Sequence, residues 1–91
     1  MKIKEHGQWI SFYCPGCKTS HVIPVKDHVN AWEWNGSHTR PTLDPSVLVN
    51  RGGANQSMPI CHFYLRDGYF EFLTDSTHDL AGRVVEMSNA Q

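Results

Sequence analysis

Residues 60–74 read Ile-Cys-His-Phe-Tyr-Leu-Arg-Asp-Gly-Tyr-Phe-Glu-Phe-Leu-Thr. Asp67-Gly68 between two alternating runs is the strongest short-range signal for a β-hairpin with a two-residue turn. Such a turn pairs Arg66 with Tyr69. It sets Cys61, Phe63 and Leu65 opposite Thr74, Phe72 and Phe70, and these six residues share one apolar face. His62, Tyr64, Arg66, Tyr69, Glu71 and Leu73 share the other. A one-residue slip would turn the apolar set toward water, so the register is well specified.

The flanking sequence continues in the same style. Residues 8–14 alternate, with Ile10, Phe12 and Cys14 on one face. Residues 20–25 read as the return strand, and Pro24 limits it to a sheet edge or end. Residues 31–34 form a short strand that stops at Asn35-Gly36. Pro41 and Pro45 exclude a helix interior over 40–45. Residues 46–50 read as a buried strand, and 51–59 as a polar, glycine-rich loop. Over 75–82 the pattern predicts a single helical turn, with Asp75 as N-cap and Gly82 as stop. Val84 and Val85 suggest a last strand. The expected fold is mainly β: one small antiparallel domain over 1–91, built as zinc-ribbon-like hairpins or a small sandwich, with one short helical turn.

The chain has 91 residues, a net charge of −1 and 11% aromatic residues. At this length only about 60% of the unfolded surface is buried, so a staple would help the core. The near-neutral charge and the lack of a basic run speak against a nucleic-acid partner. No stretch approaches ~18 consecutive apolar residues, so no membrane span is expected. The N-terminus lacks the apolar core of a signal peptide, which points to the cytoplasm and to reduced thiols.

Three cysteines and six histidines in so short a chain suit a Cys3His zinc site better than a disulfide framework. Cys14-Pro-Gly-Cys17 brings two sulfurs to one side of a tight bend, where Gly16 allows a positive φ. A redox role for this pair is disfavoured, because no helix follows it to lower a thiol pKa. Cys61, on the apolar face of the hairpin, is the third candidate ligand. His78 is the preferred fourth: the predicted turn past the hairpin's open end returns it over Cys61, with Asp75 or Asp79 to orient its ring. His21 is the alternative, completing Cys-x-x-Cys-x-x-x-His. His62 follows Cys61 directly and so points to the opposite face of the strand.

Other residues suggest a binding surface. Trp32 and Trp34 share a strand face, which is more often core but suits a protein contact. His62, Arg66, Asp67 and Asp75 gather near the hairpin, where they would line the pocket of a small hydrolase or nucleotide-binding protein. The zinc-enzyme patterns His-Glu-x-x-His and His-x-Glu…Pro-Cys-x-x-Cys are absent.

Several of these pieces, taken in order, resemble a family of small phage-encoded zinc-binding proteins. They are residues 12–17 with His21, Trp34-Asn-Gly-Ser37, residues 41–46, Cys61-His-Phe63, Asp67-Gly68 and residues 75–82. The chain departs from that pattern at Asp44-Pro45-Ser46, where Ser-Pro-Ser is usual. The resemblance implies a β-rich zinc fold of phage or prophage origin. With no catalytic motif in view, the expected role is a non-enzymatic protein that contacts a host protein, in anti-defence or host takeover. A metal-dependent hydrolase and a virion or assembly component are the alternatives.

Overall fold

A computed structural model of the protein describes residues 1–89. The fold is mainly β, with eight strands among the described residues. They are β1 (Lys4–His6), β2 (Trp9–Cys14), β3 (Thr19–Pro24), β4 (Glu33–Trp34), β5 (Leu43–Val49), β6 (Cys61–Arg66), β7 (Tyr69–Phe72) and β8 (Val84–Glu86). Strands β1-β2-β3 form one antiparallel sheet and β4-β5-β6-β7-β8 a second, each in chain order. Consecutive antiparallel strands need only short connections, which suits a chain of this length.

The β6–β7 hairpin has the expected register, with Phe63 opposite Phe72, Leu65 opposite Phe70 and Arg66 opposite Tyr69. Asp67 (φ 52°) and Gly68 (φ 83°) both lie in the left-handed region, as a type I′ turn requires. Strand β2 buries Ile10, Phe12 and Cys14, and β3 sets Ile23 and His21 opposite Ile10 and Phe12. The two sheets meet through these faces. The Phe12 ring lies 6.0 Å from both the Phe63 and Phe70 rings, in edge and tilted contacts. Ile3, Leu43, Val47, Leu65 and Met87 complete the core.

Four local features differ from the sequence expectation. Residues 75–82 make successive turns and bends without helix, tied to β6 through Ser76 and to β7 through Gly82, with local bonds from the Leu80 and Ala81 N–H groups to His78. The helical turn lies instead at Arg51–Gly53, a 3-10 turn in the glycine-rich loop. The additional strand β1, fully exposed in pattern, carries no periodic signal. Strand β5 begins at Leu43, three residues earlier than expected, and runs through Pro45 with an irregularity between Leu43 and Val47. Proline is tolerated at such bulges.

Candidate active site and metal cluster

Two sites lie back to back on β6. The first is a buried cluster of Cys14, Cys17, His21 and Cys61, whose ligand atoms all lie within 4.8 Å of one another. Cys14 and Cys61 are fully buried, and their sulfurs are 3.8 Å apart. In the turn, the Lys18 N–H donates to the Cys14 carbonyl (2.8 Å), and the Cys17 N–H donates to the Cys14 sulfur (3.5 Å). The positive φ falls on Lys18 (58°) and not on Gly16.

His21 enters this set because the β2–β3 register turns it inward beside Phe12. Its ring stacks 5.8 Å from Phe63, and its buried Nε2 has no hydrogen-bond partner. A buried nitrogen without a partner is costly, and a metal ion would supply one. Three thiols and an imidazole also match the donor chemistry of structural zinc. The three sulfurs perturb one another. Cys14 is pulled down to about 4, chiefly by the hydrogen bond from Cys61. Cys17 is pushed up to about 11 by burial and then by the Cys14 charge. Cys61 is raised by its bond to Cys14 and by burial. A bound cation would relieve this conflict among three sulfurs.

His78, the preferred fourth ligand from sequence, lies outside the set. Without the expected helical turn, its ring packs instead on Gly16 and on Phe72, 4.7 Å away, and its Nδ1 accepts the Leu80 N–H at 3.2 Å. A Cβ on residue 16 would collide with that ring, so Gly16 is needed for close approach. Asp75 does not orient His78; it belongs to the second site.

That second site lies on the outer face. The Ser46 Oγ is 3.1 Å from His62 Nε2. On the far side of the ring, His62 Nδ1 lies 3.0 Å and 3.1 Å from the two carboxylate oxygens of Asp75. An Nδ1–H donating to the carboxylate leaves Nε2 to accept the serine O–H. These are the contacts found in a Ser-His-Asp triad. Three elements bring them together. Ser46 lies within the irregular stretch of β5, between Leu43 and Val47. His62 is on β6, with Leu48 of β5 opposite it. Asp75 follows β7. Buried Ser76 clamps the His62 backbone: its Oγ accepts the His62 N–H and donates to the His62 carbonyl, each at 3.0 Å. The Asp75 side chain is 61% exposed and that of His62 22%.

Of the other residues expected at a binding surface, Arg66, Asp67 and Trp34 are engaged away from this site, while Trp32 reaches the Ser46 backbone. Arg66 sits 4.3 Å from the Tyr64 ring and bonds Glu71 at 3.3 Å. Asp67 pairs with Arg40 at 2.7 Å. The Trp34 indole donates to the Ser37 carbonyl (3.2 Å), while that of Trp32 donates to the Ser46 carbonyl (3.2 Å). Both rings also pack on the core. A hollow of about 540 Å³ lies on the outer face of the β1-β2-β3 sheet, between Lys4, His6, Ser11, Tyr13 and Ser20, and contains no triad residue. Among the described residues, no helix is long and apolar enough to cross a membrane.

Ser46 is the functional candidate that the sequence patterns miss. It sits in Pro45-Ser46-Val47, without the glycines of a nucleophile elbow. The hairpin register nevertheless places His62 opposite Leu73, with Asp75 two residues beyond.

No curated protein and no solved structure matches the chain. A family model described as "Bacterial ubiquitination-like system serine protease" matches residues 1–73, a span that includes Ser46, His62 and all four cluster residues. Asp75 lies two residues past its end. A bacterial family thus replaces the phage-encoded zinc proteins expected from the motifs, while the Cys/His set fits both. The chain belongs to the BubE family.

Proposed function

We propose that this protein is a serine protease of a bacterial ubiquitination-like system, with Ser46 as nucleophile, His62 as general base and Asp75 as the residue that orients it. The observation that carries this reading is the unbroken hydrogen-bonded chain from Ser46 Oγ through both nitrogens of His62 to Asp75. The serine oxygen attacks the amide carbonyl while its proton passes to Nε2. His62 then returns that proton to the leaving amine as the C–N bond breaks, leaving an acyl ester on Ser46. Water, deprotonated by His62, hydrolyses the ester and restores the serine. Asp75 holds the Nδ1–H tautomer and stabilises the imidazolium formed in each half-reaction.

Cys14, Cys17, His21 and Cys61 would hold a zinc ion. Its contribution there is structural, tying the β2–β3 turn to the start of β6. The family description points to amide or isopeptide bonds of a ubiquitin-like modifier as substrate. This enzymatic role stands in place of the host-binding role expected from sequence, and the cytoplasm remains the proposed location.

The test is covalent labelling with an alkyl fluorophosphonate, read by intact mass and peptide mapping. A single adduct on Ser46, abolished by Ser46→Ala and by His62→Ala, is expected. Labelling absent from Ser46, or equally fast in His62→Ala, overturns the reading.

A further inference from the structure

Leu48 follows Ser46 by two residues and lies opposite His62. Along an antiparallel strand, backbone groups point alternately to the two neighbours. Arg66 and Tyr69 close the two-residue β6–β7 turn, so Arg66, Tyr64 and His62 direct their N–H and C=O groups to the β7 side. Two bonds agree with this: the Leu73 N–H donates to the His62 carbonyl (2.8 Å), and the His62 N–H donates to Ser76 Oγ (3.0 Å). Cys61 and Phe63 therefore bond β5, through Val49 and Val47. Leu48, between those two valines, directs its own N–H and C=O to the opposite edge.

Among the described residues, no strand pairs with that edge at Leu48. Strand β4 pairs with β5 only at Leu43 and Asp44. The Trp32 indole takes the Ser46 carbonyl and ends the covered part. Among the described residues, no loop or side chain bonds the Leu48 backbone, and its side chain is 37% exposed. An unpaired donor and acceptor thus stand beside the nucleophile. Two residues along a strand span roughly 7 Å, which matches about two residues of an extended peptide.

We propose that the open edge of β5 at Leu48 is the substrate-docking strand. An extended peptide adds beside β5, one of its residues exchanges two hydrogen bonds with the Leu48 N–H and C=O, and its scissile carbonyl then reaches Ser46 Oγ. This rests on the assignment of Ser46 as nucleophile. The occupant is an extended segment flanking the scissile bond, such as a chain tail. A helix cannot dock there, because its backbone groups are already paired within the helix. Backbone pairing carries no side-chain information, so sequence preference comes from alternate side chains, of which one packs against Leu48.

The test compares acetyl-alanyl and acetyl-tetra-alanyl phenyl phosphonates as modifiers of Ser46 in the intact protein, with ethyl fluorophosphonate as a probe that has no peptide backbone. The tetra-alanyl compound is expected to react about tenfold faster than the alanyl one. One N-methyl group, on the residue opposite Leu48, erases that gain, while methylation of its neighbours leaves it. Equal rates for the two phosphonates, or equal loss at every methylated position, overturn the docking strand. Equal rates together with normal ethyl fluorophosphonate labelling overturn the docking strand alone. Failure of ethyl fluorophosphonate to modify Ser46 overturns the nucleophile assignment, and the docking proposal with it.

Discussion

Cys61 and His62 are consecutive residues on β6 that serve opposite faces of one sheet. The Cys61 sulfur lies 3.8 Å from that of Cys14 in the buried cluster, and His62 Nε2 lies 3.1 Å from Ser46 Oγ on the outer face. Successive side chains on a strand point to opposite sides, so one peptide unit joins the two sites. Whatever holds Cys61 in place also holds the backbone of His62.

That relationship predicts a one-way dependence. Cys61→Ser, or chelation, should release the metal, lower stability by at least several kcal/mol, and abolish Ser46 labelling. His62→Ala should abolish labelling while keeping stoichiometric metal. Elemental analysis and fluorophosphonate labelling on the same samples check both. Loss of metal from His62→Ala would show that the two faces are not independent.

Ser46→Ala should lower amide hydrolysis by on the order of 10⁴-fold or more. The fold should be untouched, because Ser46 is only half-buried. An unchanged melting temperature with hydrolysis lost is the expected pair of results.

Asp75→Asn should leave the ring contact in place but favour the wrong tautomer. The expected fall in kcat is on the order of 10²–10⁴-fold. The carboxylate is 61% exposed, so water can take part of its role and the lower end of that range is expected. Steady-state kinetics should show the loss in kcat, with KM little changed.

Ser76→Ala removes the side chain that bonds both the N–H and the carbonyl of His62. The expected cost is about 1–3 kcal/mol, with a fall in kcat that Ser76→Thr partly rescues. Denaturant unfolding and kinetics on the two variants distinguish loss of positioning from loss of fold alone.

Gly16→Ala forces a methyl group into the His78 ring. Overpacking of this kind costs about 1–3 kcal/mol. His78→Ala in the same chain should recover part of the loss, which a double-mutant cycle of melting curves would measure.

The two hairpins were legible because their signals are local. Asp67-Gly68 dictates a turn, and the alternation of Phe63, Leu65, Phe70 and Phe72 allows only one register. The same alternation puts Cys61 and His62 on opposite faces of the strand. Three of the four residues of the candidate metal cluster stand out in the sequence by type, in Cys14-Pro-Gly-Cys17 and Cys61. Choosing His21 over His78 required knowing that 75–82 is not a helical turn and that His21 faces Phe63 across the two sheets. Ser46 was invisible for a related reason. A serine after a proline carries no pattern of its own, and its partners lie 16 and 29 residues further on. Short-range periodicity determined the strands and their faces. Only packing of β5 against β6, and of the 75–78 loop against β6 and the Cys14–Cys17 turn, decided which polar side chains meet, because those contacts depend on distances that no local pattern encodes.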